Sequence, residues 1–240
     1  MSLAGDDRVW FNTPMSLEYS VISIGTLSHN RLWGEQAPVR TAHATTTAVF
    51  VDNRIILVDP SLPGPVLAAR FNERTGKMLS DVTDVFCTTL RQAHRRGLAD
   101  MPKANWWASI DELQWYRDYL TDLIDSHGRA GSEDALEAEA DLKLLQRVRP
   151  APRDFGPAAQ VYPLAGPTPG TTGLLLTPAT STILIASDAA ITSAHVLRGQ
   201  VWEGCNDMHA ALDTLSDLLE VADMIIPGHD NLMTVSRQWL

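Results

Sequence analysis

The segment from Thr45 to Val58 constrains the fold most. Ala48-Val49-Phe50-Val51 and Arg54-Ile55-Ile56-Leu57-Val58 are rich in β-branched and apolar residues, and Asp52-Asn53 supplies a two-residue turn. That spacing predicts a β-hairpin. Both arms are apolar almost without alternation. A strand of that kind has no face suited to water, so its sheet must be covered on both sides. At 240 residues the chain can bury such a core, as one large domain or two small ones.

The rest of the chain supplies the cover. Ser61-Leu62-Pro63-Gly64-Pro65 ends the hairpin, a helix is predicted from Val66 to Arg74, and a strand from Asp84 to Thr88. Leu113, Tyr116, Leu120 and Ile124 fall at helical spacing. A further helix is expected after Gly131-Ser132, with the stripe Leu136, Ala140, Leu144 or Leu145, and Val148, ending before Pro150 and Pro152. A second strand set starts at Gln160 and includes Gly173–Leu176 and Thr182–Ala186. Asn206 is placed to cap a helix with Met208, Leu212, Leu215 and Leu219 inward, and a strand follows from Asp223 to Ile226. Two strand-rich halves thus each end in helix, with no flexible linker. The expected fold is one α/β domain over residues 1–240, two packed sheets with helices outside.

Composition excludes some functions. A net charge of −10 opposes a nucleic-acid surface, which needs clustered Lys and Arg. No apolar run reaches membrane-spanning length. Cys87 and Cys205 are too few and too far apart for a disulfide framework, and Met1–Asp7 lacks the regions of a signal peptide. A reduced, cytoplasmic protein is expected.

Candidate chemistry sits at strand ends. Val58-Asp59-Pro60, Ser187-Asp188-Ala189 and Pro227-Gly228-His229-Asp230 put carboxylates and an imidazole into loops, and the loop after Asp84–Thr88 adds His94. In layered α/β folds ligands gather where such loops converge.

Taken in order, these loops resemble the metallo-β-lactamase superfamily. Ile55-Ile56-Leu57-Val58-Asp59-Pro60 is similar to the family's I-L-V-D-T-G. Thr88 to His94 falls where the family carries T-H-x-H-x-D-H. Met101-Pro102-Lys103-Ala104, then Glu112 and Trp115-Tyr116, resembles F-P-x-A…E-x-x-W-Y. Gly166 to Gly173 resembles G-H-T-P-G-H-T, Ser187-Asp188 the G-D element, and Ile225 to Asp230 is similar to I-V-P-G-H-D. The resemblance runs from Ser23 to Asp230. It implies a four-layer αββα sandwich of two mixed sheets with helices on the outer faces, and a hydrolase acting on ester, lactone or thioester bonds of small molecules. Such proteins often form homodimers.

The departures alter what the resemblance implies. The family's ligands to its first metal fall on Thr89, Arg91 and Pro167, none of which carries an imidazole. The second-site aspartate is Ala93. His94, Asp188 and His229 remain, enough with water to hold one Zn, Fe or Mn ion. Asp59 would orient a ligand from behind. Arg91 would point toward the first-metal position, where it can neutralise Asp188 or bind an anion. His195 and Trp202 are candidate pocket walls.

Each residue also has a plainer reading. His94 can be a solvent-facing residue at a helix start. Asp188 can cap the segment after its strand, and Asp59 can be a structural acceptor. Arg91, Arg95 and Arg96 can form a solvated basic face. His209 reads as a helix residue, His43 as a remote candidate for the cleft, and Cys205 has no base in clear reach. Two functions lead, ahead of a structural or oligomerisation subunit that only the tryptophan count supports. One is a divergent hydrolase-like protein with at most one metal, on His94, Asp188 and His229. The other is an inactive relative that binds a small anion through Arg91, with no metal.

Overall fold

The computed structural model describes residues 17–127 and 132–236. Met1–Asp7 and Gly131 lie outside the described residues. Among the described residues, six strands form the first sheet in chain order: β1 (Leu17–Ser23), β2 (Thr46–Val51), β3 (Arg54–Val58), β4 (Asp84–Phe86), β5 (Asn105–Ala108) and β6 (Val148–Pro150). β1, β2 and β3 are antiparallel, and β3 to β6 are parallel. Five strands form the second: β7 (Ala159–Pro163), β8 (Thr172–Leu176), β9 (Ile183–Ser187), β10 (Met224–Pro227) and β11 (Met233–Thr234), in the order β11-β10-β9-β8-β7. β9 and β10 are its parallel pair.

Side-chain alternation along each strand builds the layers. From the first sheet, Val49, Val51, Ile56, Val58 and Phe86 point inward to meet Leu174, Leu176, Ile183, Ile185 and Ile226 of the second. The intervening Ala48, Leu57 and Val85 face the opposite way. They pack on α1 (Gly64–Thr75), α3 (Ile110–His127) and α4 (Glu133–Leu145) through Leu67, Phe71, Leu113, Tyr116, Ala138 and Leu145. Leu184, Ala186 and Ile225 cover α6 (Met208–Val221) through Leu215 and Leu218. The result is helix, sheet, sheet, helix, as the doubly apolar hairpin requires. Two short helices, α2 (Gln92–Arg95) and α5 (Ser193–Val196), lie in the loops after β4 and β9.

Several local expectations are corrected. Asp207, not Asn206, caps α6, accepting from the backbone N–H groups of His209 and Ala210. Its buried face is Ala211, Leu215 and Leu218, while Met208 and Leu212 are exposed. The cause is a close approach: a Cβ on Gly166 would lie 2.4 Å from Ala211 Cα, so only a small residue can face inward there. In α4 the buried residues are Ala135, Ala138 and Leu145, Leu136 faces solvent, and Val148 belongs to β6. Arg95 is not part of a solvated face. It is buried and ion-paired with Asp141 of α4, with its guanidinium 5.5 Å from the Tyr116 ring.

Candidate active site

The parallel pairs β3/β4 and β9/β10 all end at one edge of the sandwich. Cross-strand bonds tie that edge together: Asp59 N donates to Phe86 O at 3.0 Å, and Gly228 N to Ser187 O at 2.9 Å. A Cβ on Gly228 would fall 2.7 Å from the Ser187 carbonyl, so the last loop can close on β9 only with glycine there. Asp59 and Ser187 both hold positive φ, at 49° and 53°, conformations that non-glycine residues seldom adopt and that concentrate at functional sites.

Five side chains meet at this edge. His94 is buried between two carboxylates: its Nδ1 lies 3.0 Å from Asp59 Oδ2 and its Nε2 3.1 Å from Asp188 Oδ1. His229 Nε2 lies 3.3 Å from the same Asp188 oxygen, and its Nδ1 lies 3.0 Å from the Thr26 carbonyl. The two imidazoles meet edge to face, with ring centroids 5.6 Å apart. Arg91 approaches from the other side, its Nη1 donating to Asp188 Oδ2 at 3.2 Å. Nη2 donates to the carbonyls of Pro167 at 2.8 Å and Gly204 at 3.1 Å, and the guanidinium stacks 4.6 Å from the Trp202 ring centroid.

Electrostatics follow from this packing. Burial works against a charge on His94, but Asp188 and Asp59 outweigh it and push its pKa up to about 10. Burial opposes the Asp188 carboxylate too, yet His94 and His229 hold it well below the usual carboxylate range. Asp188 thus faces Arg91 on one side and His94 and His229 on the other, and Asp59 faces His94.

His94, Asp188 and His229 each offer one donor atom, and the three atoms lie within 4.8 Å of one another. Their chemistry fits a divalent ion. Both Nε2 atoms face one carboxylate oxygen, and each Nδ1 is anchored by an acceptor behind it, the arrangement that orients metal-bound imidazoles. Thr89, Arg91 and Pro167 offer no comparable set. The Thr89 hydroxyl is turned away to Glu112 at 2.7 Å, and Ala93 has no donor.

A cavity of 140 Å³ opens beside the cluster, walled by Leu27, Ala42, Ala93, Ile191 and Trp202. His195 also lines it, its Nδ1 bonded to Thr192 Oγ1 at 2.8 Å and its pKa lowered by burial. Arg31 and Glu203 pair at 3.1 Å among the lining residues. His43 lines a different groove and contacts the Ile24 carbonyl, and His209 is exposed on α6. The Cys205 thiol is raised to about 11, chiefly by burial, so it stays protonated near neutrality.

Some contributors escaped the sequence reading. Thr88 Oγ1 donates to Asp59 Oδ2 at 2.6 Å and lies 2.6 Å from Ser187 Oγ, so two buried hydroxyls support the carboxylate behind His94. The Thr26 carbonyl that anchors His229 has no residue-type signal at all. Glu112 was visible only as a family letter, yet it is fully buried and bonds both loops around Arg91.

Solved structures share the fold. The chain has the αββα fold of metallo-β-lactamase superfamily hydrolases, matched along nearly its whole length. A Thermotoga maritima protein assigned to the metallo-β-lactamases superposes with TM-score 0.66 at 16% identity, over 91% of this chain and 99% of its own. AiiA of B. thuringiensis, solved with N-decanoyl-L-homoserine at its active site, gives TM-score 0.62 at 16% identity, covering 90% of this chain and 93% of its own. AidC, a dizinc quorum-quenching lactonase solved with its product, gives 0.59 at 16% identity, over 74% and 67%. No protein-family profile matches the sequence, and no curated protein matches it in sequence. At such identities the likeness is one of fold.

Proposed function

We propose that this chain is a divergent hydrolase-like protein holding one divalent metal on His94, Asp188 and His229, and acting on a small-molecule ester, lactone or thioester. One observation carries the reading: both histidine Nε2 atoms converge on Asp188 Oδ1 while Asp59 and the Thr26 carbonyl fix the opposite ring nitrogens. A divalent ion there would act as a Lewis acid and lower the pKa of a water it bound. The fold is shared with lactonases, one of them a dizinc enzyme, which supports the substrate class.

The remaining work falls to the chain's own residues. Arg91 supplies a permanent positive charge beside Asp188, where it can steady negative charge developing on a substrate oxygen. Ala93 has no carboxylate to take a proton; of the titratable side chains that line the cavity with the cluster, His29, His195 and Glu203, the buried His195, whose pKa burial lowers, is assigned the acid–base role. Trp202 and Ile191 seat the apolar part of the substrate.

A second reading has its own observation. Arg91 pairs with Asp188, and His94 lies between Asp188 and Asp59, so both carboxylates have partners without a metal, which suits an inactive protein that binds a small anion at Arg91. Elemental analysis after incubation with Zn²⁺, Mn²⁺ or Fe²⁺ separates the two. The proposal expects metal in the purified chain and turnover of an ester or lactone panel. A load below about a tenth of an ion per chain at neutral pH sinks it and leaves the anion pocket.

A further inference from the structure

We propose that Glu112 is a positioning residue that holds Arg91 against Asp188, an inference that rests on the reading of Arg91 as the pocket's fixed cation. Glu112 stands in the first turn of α3 and is fully buried. No cation pairs with it among the described residues. Burying a carboxylate without a partner is costly unless hydrogen bonds replace its water. Here they do. Oε1 accepts from Thr89 Oγ1 at 2.7 Å and from Leu90 N at 2.8 Å, and Oε2 accepts from Thr168 Oγ1.

The identity of those donors gives the group its role. Thr89 and Leu90 immediately precede Arg91. Thr168 immediately follows Pro167, whose carbonyl accepts from Arg91 Nη2 at 2.8 Å. One carboxylate therefore fixes both the backbone from which the Arg91 side chain leaves and the carbonyl at which it ends. The helix end favours the charge. The clasp is tight: Glu112 N donates to Ser109 Oγ at 3.0 Å, Ser109 Oγ donates to Gly170 O at 2.6 Å, and a Cβ on Gly170 would sit 1.9 Å from Glu112 N. Glu112 does not line the cavity, so its effect on the site passes through Arg91.

Two readouts test this. Trp202 emission, taken as the difference between each protein and its Trp202→Phe counterpart, reports the guanidinium stacked upon it. Competition against a chromophoric chelator reports Zn²⁺ affinity. Glu112→Ala is expected to shift the Trp202 signal as Arg91→Ala does, and to tighten Zn²⁺ binding about threefold to tenfold by releasing Asp188. It should add little in an Arg91→Ala background. Glu112→Gln, which can still accept from Thr89 and Leu90, should restore wild-type behaviour. Thr168→Val removes one arm only and should give a smaller shift of the same sign; it carries the test should Glu112→Ala not fold. A folded Glu112→Ala or Thr168→Val with unchanged Trp202 emission overturns the proposal, as does an effect equally large without Arg91. If no variant binds Zn²⁺, the metal reading fails on its own, and the Trp202 signal still decides the role of Glu112.

Discussion

Arg91 Nη1 and Asp188 Oδ2 meet at 3.2 Å, while the other oxygen of the same carboxylate faces His94 and His229. Asp188 is thus divided between an organic cation on one side and an imidazole pair on the other. Arg91 reaches from a position that resembles a first-metal ligand to the backbone carbonyl of Pro167, which resembles another. The guanidinium spans the ground between them.

That geometry needs a planar fork. Lysine keeps the charge but cannot serve Asp188, Pro167 and Gly204 together while stacking on Trp202. Arg91→Lys should therefore cost about 1–2 kcal/mol, read as a fall in Tm of roughly 2–8 °C by calorimetry. An unchanged Tm would show that only the charge matters.

The pH dependence of the metal-free protein follows from His94. Its pKa in the folded chain, about 10, lies above the ordinary 6.5. Its contribution to stability is therefore fully present below pH 6.5 and lost as the pH rises through about 10. Asp188 has the opposite sign. Held well below 3.8, it contributes above that value, and the contribution is lost as the pH falls through its depressed folded pKa. Urea midpoints should fall between neutrality and about pH 9.5, and His94→Gln should flatten most of that change. Zn²⁺ affinity should rise over the same interval, because the ion must displace the His94 proton.

Much of this was readable from residue types, and the rest failed for physical reasons. The layered fold followed from β2 and β3, apolar on both faces, and from strands that end in Asp59, Asp188 and His229. The rotation of α6 did not, because Ala211 is held inward by its approach to Gly166, leaving the larger Met208 and Leu212 in water. Arg95 looked like surface because its partner, Asp141, is 46 residues away and the pairing exists only after α4 packs. At the site, imidazoles and carboxylates could be listed from their loops, but backbone acceptors such as Thr26 O and hydroxyls such as Ser187 Oγ carry no local signature.

Ala93 offers a direct gain-of-function test. It lines the cavity one residue before His94, where the family pattern carries a carboxylate. Ala93→Asp should add an anionic donor beside His94, Asp188 and His229 and tighten Zn²⁺ binding about tenfold or more by calorimetric titration. Affinity equal to or weaker than wild type would mean that the three remaining donors do not face an ion as proposed.

On the proposal above, the pocket holds one metal, with Arg91 in place of the other. The most direct test is the Zn²⁺ content of the saturated, gel-filtered protein and of its His229→Ala variant, by elemental analysis. The account predicts close to one ion per chain in the wild type and essentially none in the variant, whose donor set has lost an imidazole. Two ions per chain, none in the wild type, or a full load retained by His229→Ala would contradict it.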